Sequence, residues 1–330
     1  MKIIKHRKFF LTFSGTLTLI SILLWIILGL NLGIDFTGGS LLEIEYQKDR
    51  PTVSQLNQDL ADLNLKGLKI QTAGDKGYVL RFQETGEEIH QKVLAKLNTS
   101  GSQESNSNVK IENSQSDGNI NTSAVKIETS APSQNFIEKK FESIGPSIGA
   151  ELKTKAFYAI ILVVIAIVIY IAVAFRKVSY PVSSWKYGVA AIIALVHDIF
   201  VTIGIFVLLG KFFGFEVNTP FVAALLTILG YSVNDTIVVF DRVRENLHKY
   251  EGEFEEIVEK SIWETMARSV NTIVTVELAL LALLIFGGGV INDFVLPLLI
   301  GIFFGGYSSI FIASQIIVTW QKLDWARKQG

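Results

Sequence analysis

A chain of 330 residues with 49% hydrophobic side chains, a mean hydropathy of +0.40 and a formal charge of −1 is too apolar for an ordinary soluble enzyme, which makes a membrane protein the default class. Near-zero charge without a basic, aromatic-lined stripe argues against a nucleic-acid partner. With no cysteine, disulfides, thiolate metal sites and a cysteine nucleophile are excluded.

The basic N-terminus MKIIKHRK leads into an apolar stretch from Phe9 to Leu30. A cleavable signal core spans roughly 7 to 15 residues and ends at a small-residue site, so this longer stretch is read as a retained first helix. The runs able to cross a hydrocarbon core of about 30 Å are Phe10 to Leu30, Ala156 to Phe175, Gly188 to Leu209, Thr219 to Phe240, Val270 to Phe286 and Phe294 to Thr319. Lys2, Lys5, Arg7 and Lys8 precede the first run, and Arg176, Lys177 and Lys186 separate the second from the third. Arg242, Arg244, Lys249 and Lys260 separate the fourth from the fifth, while Lys322, Arg327 and Lys328 follow the last. The short opposite loops hold only Lys211. This alternation predicts both termini in the cytoplasm.

The expected fold is therefore a polytopic α-helical membrane protein with an exported domain between its first two helices. Residues 1–30 form the N-terminus and first helix, 31–155 the exported domain, and 156–330 a five-helix membrane domain. Ser40 to Gln47 alternates Leu42, Ile44 and Tyr46 against Glu43 and Glu45, the period of a half-buried strand. Val53 to Leu63 places Val53, Leu56, Leu60 and Leu63 on one helical face. LKIQTAGDKGYVLRFQ reads as two strands around a turn, Glu87 to Leu97 as a second helix, and Phe136 to Ile144 as a last strand. That order suits a small ferredoxin-like α+β sandwich. Between about 98 and 134 the composition turns to Ser, Asn, Thr, Gln and Gly, a polar insert with little to bury, expected to be disordered.

Four strings in order carry a resemblance: GIDFTGGSLLEIEY, FESIGPSIGAELKTKAF, VHDIFVTIGIF and GYSVNDTIVVFDRVREN. Together they resemble the SecF family, within the SecD/SecF group of the resistance-nodulation-division superfamily. The resemblance implies SecD as obligate partner, the SecYEG channel as client, YajC and YidC as further candidate partners, and an unfolded preprotein as the moved substrate. It also implies use of the proton gradient in a bacterial inner (plasma) membrane, a thylakoid-type membrane staying open. Matched residue by residue, Asp235 and Arg268 fall on the family's proton-pathway acid and its basic partner. The chain departs from the family in the polar insert and in Glu277, where an apolar residue is usual.

A charge in the middle of a span costs from about 2.5 to over 10 kcal/mol, so each intramembrane polar residue is a functional candidate. Counted from Pro220, Asp235 lies about 22 Å into its helix, with Tyr231, Ser232 and Asn234 near it. Its alternative is a structural carboxylate, protonated or locked to a cation. Arg268 is read as beginning the fifth helix, about 27 Å from Phe286 and comparable in depth to Asp235, so that the two could meet, unless it snorkels to the interface. Thr272 and Thr275 continue its side. In the third run Asp198, with His197 beside it, is either an interhelical hydrogen bonder or a relay member. Gly301, Gly305, Ser309 and Ala313 recur every four residues as a packing groove. Asp35, Gly38 and Gly39 form a loop motif in which the aspartate closes a turn through its own backbone or transmits movement. Glu277 is half a turn out of phase with Arg268, and its role is open.

No GxxxxGK[ST] loop occurs, and the His-Asp pair is not HExxH, so no nucleotide site, metal or other cofactor is expected. The expected role is transport without a catalytic constellation: a proton-coupled accessory subunit of protein export. The rival readings are a small-molecule or lipid transporter of the same superfamily and a non-transporting insertion scaffold. An intramembrane protease is disfavoured because neither a GxGD pair nor a Ser-His constellation is present.

Overall fold

The computed structural model describes residues 3–48, 50–100, 135–174, 182–287 and 289–329. Lys2, residues 101–134 of the polar insert, and Phe175, Arg176 and Lys177 lie outside them. The chain divides into two compact units, a helical one (Met1–Phe36 with Ala150–Gly330) and a small mixed one (Thr37–Gly149).

The first span is α1 (Arg7–Leu28), built almost wholly from Phe, Leu, Ile, Ser and Thr and led in by a 3-10 turn at Ile4–His6. Beyond it lies the single turn α2 (Ile34–Thr37). The mixed unit follows in the order β1 (Gly39–Tyr46), α3 (Val53–Leu60), β2 (Lys69–Ala73), β3 (Gly77–Phe82), α4 (Glu87–Ser100) and β4 (Phe136–Ile144). Its four antiparallel strands lie in the order β2-β3-β1-β4, with both helices between strand pairs, which is the ferredoxin-like arrangement expected from the sequence.

Strand alternation decides which residues fill that unit. Leu42, Ile44 and Tyr46 of β1 and Tyr78, Leu80 and Phe82 of β3 point to one face, where Leu56 and Leu60 of α3 and Val93 and Leu97 of α4 cover them. Thr52 and Gln55 form a reciprocal cap that starts α3. On the other face Lys139 of β4 pairs with Glu45 at 2.7 Å and holds its carboxyl below the ordinary range. The glycine pair before β1 has a steric cause. Gly38 (φ +73) and Gly39 (φ +121) both need left-handed backbone, and a Cβ would sit 2.8 Å from Pro146 Cα or 2.6 Å from the Phe82 carbonyl oxygen.

The helical unit continues with α5 (Pro146–Ala174), α6 (Ser184–Phe213), α7 (Thr219–Lys249), α8 (Phe254–Phe286), α9 (Gly289–Ser308), a π-helical turn at Ser309–Ala313 and α10 (Ser314–Gln329). With α9, the π turn and α10 forming one span, six helices are long and apolar enough to cross a membrane. The buried centre consists of α6, α7 and the sixth span, whereas α5 is exposed along most of its length.

Several helices outrun the apolar stretches that announced them. α5 starts at Pro146, α7 runs on to Lys249, and α8 starts at Phe254, so Arg268 lies in the middle of its helix and not at its beginning. The extra turns are amphipathic. Phe254, Ile257, Val258 and Ile262 of α8 are buried, while Glu255, Glu256 and Glu259 lie between them and lower the hydropathy of the stretch.

Candidate functional site

Close packing of small residues brings the central helices together. A Cβ on Gly301 would lie 2.2 Å from Ile228 Cδ1, one on Gly305 3.1 Å from Ser232 Cβ, and one on Gly306 2.0 Å from Ile273 Cδ1. Gly301 and Gly305 of the stripe read as a packing groove thus seat the sixth span against α7, and Gly306, outside that stripe, seats it against α8. In an apolar setting, helices this close let short hydroxyl side chains reach one another.

Among the described residues the most buried carboxylate is Asp198, fully enclosed on α6. Its Oδ2 accepts hydroxyls from Ser232 of α7 at 2.6 Å and Ser308 of α9 at 2.7 Å, while its Oδ1 lies 2.9 Å from His197 Nδ1. Three helices therefore meet on one side chain. A second layer sits one turn along, where Thr236 of α7 and Ser309 of the π turn share a hydrogen bond at 2.9 Å. The π turn inserts an extra residue into the sixth span, and the consecutive Ser308 and Ser309 serve different neighbours, Asp198 of α6 and Thr236 of α7. Interhelical hydrogen bonds in membranes average about 0.6 kcal/mol each, so the cluster positions these helices more than it stabilises them.

Asp235 lies three residues beyond Ser232 and is half-buried. Its Oδ1 accepts the hydroxyl of Ser269 of α8 at 2.6 Å, and its Oδ2 has no hydrogen-bond partner among the described residues. The expected meeting with Arg268 takes a different form. Among the described residues no ion pair joins the two; Arg268 is exposed, and it is the next residue, Ser269, that turns inward. Successive residues on a helix are about 100° apart, so Ser269 takes the position facing α7 while Arg268, still near enough to act electrostatically on Asp235, lies to its side. Arg268, Asn271, Thr272 and Thr275 instead form an exposed polar face of a membrane span. The two threonine hydroxyls bond back to the carbonyls of Arg268 at 2.8 Å and Asn271 at 2.7 Å.

The other candidates separate in the same way. Ser232, expected beside Asp235, serves Asp198. Tyr231 is half-buried and Asn234 exposed. Glu277 is half-buried, with Oε1 unpartnered among the described residues. Asp35 does not close its own turn: Oδ2 accepts the backbone N–H of Thr219 at 2.7 Å, which caps the first turn of α7. Beside it, Gly33 and Val217 exchange strand-like backbone bonds with Val217 and Asn31, each at 2.8 Å. Gly38 and Gly39 belong to the mixed unit. The sequence reading missed Ser269 and Ser308 and gave Ser309 a packing role only. For Ser308 and Ser309 the available signal was a polar pair following the apolar stretch from Phe294 to Gly306.

Residues 124–323 match the family described as protein export membrane protein SecD/SecF, C-terminal, and residues 23–49 match the SecD/SecF GG motif. The chain is 40% identical to the protein translocase subunit SecF of Thermobaculum terrenum, covering 98% of this chain and 95% of that one. It is 32% identical to the protein translocase subunit SecDF of Bacillus subtilis, covering 96% of this chain but 37% of the longer one. Among solved structures it resembles SecDF, a translocon-associated membrane protein from Thermus thermophilus, with a TM-score of 0.76 and 29% identity over 98% of this chain and 39% of that chain. The chain thus spans about two fifths of the SecDF proteins it matches and nearly all of the SecF subunits. Both the sequence matches and the six-span architecture with its four-stranded domain place it with transport proteins of one kind: the chain belongs to the SecD/SecF family of protein-export membrane proteins.

Proposed function

We propose that the chain is the SecF-type half of a proton-coupled export device, completed by a SecD-type partner and serving preproteins that cross the membrane through SecYEG. YajC and YidC are candidate neighbours in the same assembly, which would sit in a bacterial inner membrane with both termini of this chain in the cytoplasm. Within that reading Asp235 is the titrating group. The observation that supports it most is the asymmetry of its carboxyl: one oxygen is held by Ser269, and the other is unpartnered among the described residues although the side chain lies in a membrane span. A purely structural carboxylate at that depth would be expected to use both oxygens.

The partner reading draws on the face of α8. Arg268, Asn271, Thr272 and Thr275 are exposed in a span 33 residues long, and a guanidinium facing lipid is costly. A second chain packed there would cover them and supply the counter-charge. SecF and SecD occur as one chain in the SecDF relatives, which makes a SecD-type chain the natural occupant. Protonation of Asp235 would then change the electrostatic balance at this seam and let the helices repack, moving the exported domain that holds the emerging chain.

The test is export by vesicles containing the whole complex, with and without an imposed proton gradient. Asp235→Asn should leave the complex assembled and remove the stimulation by the gradient. Full stimulation in that variant would refute proton coupling through Asp235 and favour the insertion-scaffold reading.

A further inference from the structure

His197 and Asp198 lie together in the middle of α6, 4% and 0% exposed. Ser232 and Ser308 both reach Asp198 Oδ2, at 2.6 and 2.7 Å, and an ionised carboxylate accepts both hydrogens. With Asp198 ionised, its remaining oxygen, Oδ1, 2.9 Å from His197 Nδ1, accepts the hydrogen carried by Nδ1. In the neutral ring the lone pair is then on Nε2. That atom is buried and has no hydrogen-bond partner among the described residues. Around the ring stand Phe304 and Tyr307, with centroids at 6.5 and 6.3 Å, and the Tyr307 hydroxyl is already engaged with Ser14 of α1 at 3.0 Å.

We propose that His197 Nε2 is a proton-binding site, oriented by Asp198 and distinct from Asp235. An imidazole held at Nδ1 by a carboxylate, with Nε2 bare, is fixed in tautomer and direction for proton uptake at that atom. A hydronium delivers the proton and leaves a water molecule; the product is an imidazolium–carboxylate pair without net charge. Among the described residues the pair shares no hydrogen bond with Asp235, whose donor is Ser269.

The other ionisable groups on the helices packed against α6 are few at this level. α7 brings Tyr231 and Asp235, and α9 brings Tyr307. α1 brings no ionisable side chain at this level, because Arg7 and Lys8 stand at its start, and its buried Ser14 and Ser21, like Ser309 of the π turn, offer hydroxyls alone. The charged residues of α10 belong to the end of the bundle, where Asp324 pairs with Lys186.

The inference rests on the reading that this chain carries protons, but its test does not use export. The full chain, labelled with nitrogen-15 at its four histidines and held in lipid nanodiscs, is titrated between about pH 5 and 8 by nuclear magnetic resonance. His197→Gln assigns the resonance. If that variant does not fold, His6→Gln, His90→Gln and His248→Gln assign it by elimination. Nδ1 should remain protonated throughout while Nε2 passes from bare to protonated as pH falls. Asp198→Asn, whose amide can either accept from or donate to Nδ1, should release the fixed tautomer of the ring. An Nε2 that keeps one protonation state over the whole range, or a neutral ring with its hydrogen on Nε2, overturns the proposal. A silent His197 in a protein whose Asp235→Asn complex has lost its gradient response defeats this site alone. A gradient response that survives Asp235→Asn, with His197 titrating, defeats only the role of Asp235.

Discussion

Ser269 of α8 donates its hydroxyl to Asp235 Oδ1 at 2.6 Å across the α7–α8 seam. It is the hydroxyl that holds Oδ1 of this carboxyl. Ser269→Ala removes it without altering helix propensity adversely, and a hydrogen bond to a charged group is worth about 1.5–3 kcal/mol. Gradient-stimulated export should fall well below wild type but stay above the level of Asp235→Asn, and Ser269→Thr, which keeps a hydroxyl, should recover part of it. Unchanged stimulation in Ser269→Ala would show that the orientation of Asp235 does not depend on this bond.

Gly204 marks the closest approach of α6 to α1. A Cβ there would lie 2.5 Å from both Cβ and Oγ of Ser21 and 2.7 Å from its Cα, so backbone must move to admit it. Gly230 on α7 has nothing within 4 Å of the same added atom. Overpacking costs about 1–3 kcal/mol, so Gly204→Ala should lower the midpoint of thermal unfolding in detergent. Gly230→Ala, which gains helix propensity, should not lower it. Equal midpoints for the two variants would contradict this account of the α1–α6 contact.

Much of this architecture was legible in the sequence because one-dimensional patterns carry it. The alternation of Leu42, Ile44 and Tyr46 located β1, and the apolar runs located all six spans, since burial in sheet or lipid leaves a direct periodic or compositional mark. The amphipathic ends of α5, α7 and α8 escaped, because their glutamates and lysines cancel the hydropathy of the buried stripe. The polar wiring escaped for another reason. Ser269 and Asp235 are 34 residues apart, Ser308 and Asp198 are 110 apart, and no local rule states which hydroxyl faces which carboxyl. Asp35 was recognised as a loop residue, yet its partner, the N–H of Thr219, is set by tertiary packing.

Glu259 fixes the N-terminal segment to α8. Its two carboxylate oxygens accept the backbone N–H groups of Ile3 at 2.8 Å and Ile4 at 2.7 Å, and Oε1 also accepts Trp263 Nε1 at 3.0 Å. These are the first donors of the leading 3-10 turn, otherwise without intrahelical acceptors, so the carboxylate acts as a cap supplied from another helix. Glu259→Ala should release the segment at a cost of about 0.5–2 kcal/mol. Hydrogen exchange at Ile3 and Ile4 should accelerate while exchange in the middle of α7 does not change. Protection retained at both amides would mean that other contacts hold the turn.

Arg268 gives the sharpest division between stability and function. Were it the partner of a buried Asp235 within this chain, Arg268→Ala would strand a carboxylate and destabilise the fold by about 3–5 kcal/mol. Its side chain is exposed, however, and Asp235 leans on Ser269, so the isolated chain should tolerate the substitution within about 0.5 kcal/mol, as exposed positions generally do. The assembled complex should behave differently, because there the guanidinium is read as facing a second chain. Arg268→Ala should leave the thermal midpoint of the purified chain unchanged, weaken co-purification of the SecD-type partner, and remove the response of export to the proton gradient. Arg268→Lys should restore the charge without the forked geometry and recover only part of either property. The two measurements must be made on the same variant. A large drop in the midpoint of the isolated chain would relocate Arg268 to an internal pairing, whereas unaltered partner binding together with a full gradient response would remove it from the seam altogether.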